Sequence, residues 1–178
     1  MKLFSIYFCL VSALIATRAS AADAPATFKV SEFTFTRPAS WEWVPATSAM
    51  RKAEMKVVDA NTKAAAEVVF FYFGPGNGGG TQANVDRWLG QFQEPRDQIQ
   101  AKVDSATVGR HKVTYVSAAG TYKSGMPGGP QTPNPGYALL GAIIEAEQGS
   151  VFVKMTGPKE TTEPATGAFK KMVEEALK

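Results

Sequence analysis

The residues best equipped for chemistry lie between a dense apolar run, EVVFFYF at 67–73, and an amphipathic segment, TQANVDRWLGQF at 81–92. Joining the two is a seven-residue turn, GPGNGGG, from Gly74 to Gly80. A glycine loop that feeds a helix N-terminus presents backbone N–H groups at the positive end of the helix dipole, and many proteins hold phosphate in this way. Gly74, Gly76 and Gly79 also fit G-x-G-x-x-G, with Glu94 or Asp97 at about the distance of a ribose-binding acid. Several features oppose a dinucleotide. Pro75 has no amide to donate, the flanking segments read as antiparallel hairpins, and five glycines in seven residues satisfy the pattern almost automatically. No Lys-Ser or Lys-Thr follows the glycines, which excludes a P-loop. What remains is a small-anion site built from exposed amides, with Asn77 in the turn and Arg87 one to two turns into the helix. The competing reading, in which the glycines only allow a tight reversal, is preferred.

His111 is the single histidine and sits beside the turn at Gly109-Arg110, so a triad or a zinc site would lack parts. Glu42, Glu54, Glu67, Asp86, Asp104 and Glu145 could serve acid–base chemistry, but nothing in their spacing selects a pair. A second region of interest is KSGMPGGPQTPNPG at 123–136, four prolines and four glycines that predict a long surface loop. Tyr122 and Tyr137 flank it, and a ligand site is expected where this loop, Tyr122, Tyr137 and Lys123 meet.

Export is predicted by the N-terminus. Lys2 begins a basic region, Leu3 to Ile15 is apolar and Ala19-Ser20-Ala21 is a small-residue cleavage site, so 1–21 reads as a signal peptide. The location expected is periplasmic or secreted, with an uncleaved anchor as the alternative. Cys9, the only cysteine, lies inside that apolar run, so the mature chain would hold neither disulfides nor thiolate ligands. Cleavage also removes Lys2 and Arg18, leaving 17 basic residues against 16 acidic, net +1. The remaining Lys and Arg are scattered rather than gathered in a stripe, which argues against nucleic acid. No later run is long enough to span a bilayer.

These residues must be positioned by one domain, expected over 28–178 after a short Ala/Pro tether at 22–27. Phe28-Lys-Val30 and Phe33-Thr-Phe35 alternate as half-buried strands, and Trp41-Glu-Trp43 alternates again. The tryptophans read as core packing in preference to a stacking platform. Met50–Val58 predicts a strand with Ala53, Met55 and Val57 inward and Lys52, Glu54 and Lys56 toward water. Ala64–Phe73, with no polar residue after Glu67, predicts a central strand covered on both faces. Thr81 is expected to cap a helix whose stripe is Val85, Trp88, Leu89 and Phe92, weakened at Gly90 and ended by Glu94-Pro95. Ile99–Val108 and Lys112–Tyr122 predict one hairpin, Tyr137–Glu147 and Val151–Thr156 another, and 164–178 a C-terminal helix. The fold class predicted is α+β, a largely antiparallel β-sheet packed with two helices.

That order of elements, spanning nearly the whole mature chain, resembles the PsbP-like sandwich fold. More locally, NVDRWLGQF with its preceding glycines, GTY at 120–122 and TGP at 156–158 resemble an uncharacterised family of exported bacterial proteins. The resemblance implies a non-catalytic module of unknown ligand and carries over no functional residues. The resulting expectation is an exported binding or protein-interaction module, acting on a small ligand or an envelope protein and without cofactor or metal. Its alternatives are a small envelope hydrolase and an anion-binding protein that uses Gly74–Gly80. The site residues expected are Tyr122, Lys123, Tyr137, Arg87 and Asn77.

Overall fold

The computed structural model describes residues 24–125 and 129–178, so the predicted signal peptide lies outside the described residues. Nine strands and three helices follow in order: β1 (Thr27–Val30), β2 (Phe33–Thr36), β3 (Glu42–Val44), β4 (Arg51–Val58), β5 (Ala65–Tyr72), α1 (Thr81–Leu89), β6 (Lys102–Val108), β7 (His111–Gly125), β8 (Gln131–Ile144), β9 (Val151–Pro158), α2 (Lys159–Thr162) and α3 (Thr166–Glu175). Seven strands form one sheet in the order β3-β4-β5-β9-β8-β7-β6, and every neighbouring pair is antiparallel. β1 and β2 make a separate hairpin. The predicted α+β class with two main helices holds, and α2 adds a single turn.

Alternation along the central strands explains the layers. Val151, Val153 and Met155 of β9, with Leu140, Ala142 and Ile144 of β8, join one core cluster that is closed by the β1–β2 hairpin and by Phe169, Met172 and Val173 of α3. Phe152, Leu139 and Ile143 point the other way, into a second cluster sealed by Val85, Trp88 and Leu89 of α1. Doubly covered strands need apolar residues in every position, and the predicted central strand β5 lies between β4 and β9 as expected. Phe33, Phe35 and Trp41 are buried, and Trp43 packs on Phe28 at 5.2 Å between ring centroids.

Several local expectations are corrected. The long loop predicted at 123–136 is mostly strand, since β7 and β8 continue to Gly125 and from Gln131 with register Lys123↔Pro133 and Ser124↔Thr132. Pro133 and Pro135 are tolerated because β9 pairs with β8 only from Tyr137 onward. Their missing N–H groups fall on one side of the strand, where β8 has no second partner to supply. Thr81 does not cap α1. The N-cap is Gly80, without a side-chain bond, and the Thr81 hydroxyl donates to Glu145 Oε1 at 2.9 Å. The helix stops at Leu89 with Gly90 as its C-cap, before Glu94-Pro95. The strand expected from Ile99 begins at Lys102, and the helix expected from 164 begins at Thr166.

Glu54, expected in water, is buried at 2% exposure. It accepts from the Thr47 backbone N–H at 2.5 Å and hydroxyl at 2.9 Å, and from Arg51 at 3.0 Å. Burial alone would raise its pKa; the Thr47 bonds and the Arg51 charge outweigh that and hold it below the usual carboxylate range. The consequence is mechanical, because this anchor fixes the 45–50 segment against the sheet.

The glycine turn touches the core at Gly78, while Pro75 to Asn77 and Gly79 to Gly80 are exposed. A Cβ on Gly78 would stand 2.7 Å from Cε2 and Cζ of the buried Phe152 ring. Gly78→Ala should therefore cost about 1–3 kcal/mol by overpacking, read as a lower urea midpoint with an unchanged slope. A neutral result would mean that the turn stands clear of the core.

Candidate functional site

A cleft of about 480 Å³ opens between α1 and the sheet. Its floor is Phe71 of β5 with Phe152 and Lys154 of β9, and its helix wall is Arg87 and Trp88, continued by Gly90 and Gln91. Met50, at the end of the segment anchored by Glu54, and Phe73 form the rim, and Gly125 and Gln131 close the far end. Met50 and Phe73 are two of the large apolar side chains left exposed among the described residues. Phe71 and Phe73 stack with centroids 6.2 Å apart, and Phe73 reaches Phe152 at 5.9 Å.

Lys154 is the feature that sequence reasoning missed. Its Nζ donates to Gln91 Oε1 at 2.6 Å and to Tyr122 Oη at 2.7 Å, and it lies 5.2 Å from the centroid of the Tyr122 ring. Burial pushes its pKa down to about 7; the Glu67 carboxylate opposes the shift, while Arg87 and Arg51 add to it. Tyr122, also buried, is pushed up to about 12, first by desolvation and then by Glu67. Glu67 itself pairs with Arg51 at 2.8 Å, and Arg51 also holds Glu54. Among the described residues neither Arg87 nor Lys154 forms an ion pair. A signal was present in the sequence: within VFVKM at 151–155 Lys154 is the single charged residue, and its neighbours Val153 and Met155 are buried.

The segment that follows α1 positions Gln91. It runs beside β7, with Lys123 N–H donating to Gln91 O at 2.7 Å and Gln93 N–H to Thr121 O at 2.9 Å, and Phe92 bridges to Tyr122. Glu94, weighed in the sequence as a ribose-binding acid, instead accepts from the Thr121 N–H at 2.9 Å.

The five residues expected at a site are dispersed. Arg87 lines the cleft and also donates to Asn84 Oδ1. Tyr122 lies beneath it, reaching it through Lys154. Tyr137 packs against the second core cluster. Lys123, next along β7, points to the opposite face of the sheet from Tyr122. Asn77 bonds Pro75 O within the glycine turn, and that turn is further held by Asn84 Nδ2, which donates to the carbonyls of Gly78 and Gly80.

Comparison with known structures shows a likeness of fold. The chain is similar to the solution structure of cyanobacterial PsbP (CyanoP) from Synechocystis sp. PCC 6803, with a TM-score of 0.50 and 8% identity over 88% of this chain and 95% of that one. The fold is PsbP-like. At 8% identity the likeness concerns backbone architecture, and the PsbP-like fold leaves the cleft to be read from its own side chains. No family model and no curated protein matches the sequence. Among the described residues no helix is long and apolar enough to cross a membrane, and no three His, Cys, Asp or Glu side chains converge as a metal site would require.

Proposed function

We propose that this protein is an exported binding module that holds a small amphipathic molecule in the cleft between α1 and the sheet. The observation that carries the proposal is a half-buried amine, Lys154, on the floor of a cleft walled by aromatic side chains and rimmed by exposed Phe73 and Met50. Apolar walls with a few fixed polar groups are the ordinary composition of small-molecule pockets. Binding is favoured over hydrolysis because, among the described residues, the lining holds no carboxylate, serine or histidine to act as nucleophile or general base. It is favoured over anion capture at the glycine turn because Asn84 and Phe152 already occupy the surroundings of Gly78. Export rests on the N-terminal sequence, with its basic start, apolar run and Ala-Ser-Ala end.

Phe73→Asp places a charge at the rim without opening the core. In a thermal-shift screen against amphipathic metabolites, ligands that raise the Tm of the unmodified protein should lose that effect in the variant. The unliganded Tm should move by only a few degrees, since Phe73 is already partly exposed. An equal ligand response in the two proteins would place the ligand elsewhere. Turnover of an ester or glycan substrate that is abolished by a single carboxylate or serine substitution would replace this reading with the hydrolase.

A further inference from the structure

The cleft is chemically lopsided: among the described residues its lining holds four aromatic side chains, two cations and no acid. The groups that face Lys154 can be assigned one by one. Glu67 of β5 is the carboxylate in its field, but Arg51 of β4 takes that charge in a 2.8 Å ion pair and shares itself with Glu54. Tyr122 of β7 offers a neutral hydroxyl, and Gln91 a neutral amide oxygen. Arg87 of α1 adds a second positive charge, and among the described residues it donates to the neutral Asn84 amide. An ammonium has three N–H donors, and Gln91 and Tyr122 use two of those on Lys154. The Lys154 ammonium, desolvated at an apolar wall beside the exposed guanidinium of Arg87, is costly to hold, and an anion arriving with its own apolar body relieves that cost.

Building on the binding reading above, we infer that the ligand is an amphipathic monoanion, whose acyl or aryl body lies against Phe71, Phe73, Trp88 and Phe152 and whose carboxylate-type head pairs with Lys154 in the field of Arg87. The complementarity is of charge and of polarity together. A cationic amphiphile would meet two like charges, and a neutral one would leave both cations unpaired. Occupancy also favours the charged form of Lys154, so that binding near neutral pH takes up a proton and affinity falls as the pH rises. Tyr122, pushed up to about 12, keeps its proton throughout that interval, and Glu67 is held in its ion pair with Arg51.

Calorimetric titration of the purified protein with decanoate and naphthoate, each beside its neutral counterpart decanol and naphthamide, tests this inference. The acids should bind at least about tenfold more tightly than the neutral partners at pH 6, with the advantage shrinking at pH 9. Which acid binds better separates an acyl ligand from an aryl one. Lys154→Met, which keeps the length and apolar stem, should erase the preference for the acids while neutral binding persists. Retained neutral binding also shows that the variant is folded. If acid and neutral partner bind equally to the unmodified protein and both are lost in Phe73→Asp, the cleft binds but the anionic head is wrong. If none of the four binds, or if Phe73→Asp leaves their binding intact, the cleft reading falls and this inference with it.

Discussion

Trp88→Ala should destabilise the protein by about 3–5 kcal/mol, the range for truncating a large aromatic side chain in a core. Trp88 is 4% exposed, meets the Phe152 ring edge-on with centroids 6.4 Å apart, and lies directly over Gly141 of β8. A Cβ on Gly141 would stand 2.6 Å from Trp88 Cε3, so the indole occupies the space that a side chain would otherwise fill. This arrangement makes the cost testable by a cycle as well as by a single variant. Gly141→Ala alone should destabilise by overpacking, whereas in the Trp88→Ala background the added methyl should be harmless or help to fill the void, giving a coupling energy of about 1 kcal/mol or more. Urea denaturation supplies all four values. A loss below about 1 kcal/mol for Trp88→Ala would mean that α1 does not seal the sheet.

The second large effect has the opposite sign. Lys154→Met should stabilise the unliganded protein by about 1–4 kcal/mol at pH 6, as when a desolvated charge is replaced by an apolar group of similar volume. The pH dependence follows from the direction of the shift. Lys154 titrates near 7 in the folded protein, below its ordinary value of 10.5, so between those values the unfolded chain binds more protons than the folded one. The penalty for holding the ammonium is fully present below pH 7 and is relieved as the pH rises toward 10.5. The stability gap between variant and parent should therefore be widest at pH 6 and narrow steadily toward pH 10, as measured by denaturant midpoints. A gap independent of pH would show that Lys154 stays hydrated when folded. The variant expected to lose the acid preference is thus also expected to be the more stable protein, as is common where a binding site holds strained or desolvated groups.

Much of the architecture was legible from periodicity. The apolar run of β5, the Val85, Trp88, Leu89 stripe of α1 and the paired runs around Gly109 and Gly149 each carry a local signal, and the antiparallel character they imply is observed, while the order of the strands was not read from them. The loop expected at 123–136 failed for a physical reason. Its prolines were weighed as breakers of a paired strand, but breaking requires a partner on the side where the N–H is missing, and β9 ends at the level of Tyr137. Glu54 failed because alternation assigns faces and not depth. Strand period put it opposite Met55 correctly, but only the 45–50 segment folding back could bury it. The site was harder still. Gln91, Tyr122 and Lys154 lie on three segments far apart in sequence, and no spacing rule relates them. Of the three, only Tyr122 was named from the sequence, for the loop it flanks, while Lys154 left an unread trace as an isolated lysine among the apolar residues of β9.

The overhang of β7 and β8 beyond β9 has one more consequence. An uncovered strand edge is a template on which another chain can add, the first step toward oligomers held by backbone pairing. Pro133 and Pro135 blunt that edge by removing the donors such a chain would need. The residues that disguise this hairpin as a loop thus also guard the protein against aggregation along its longest unpaired stretch of β8.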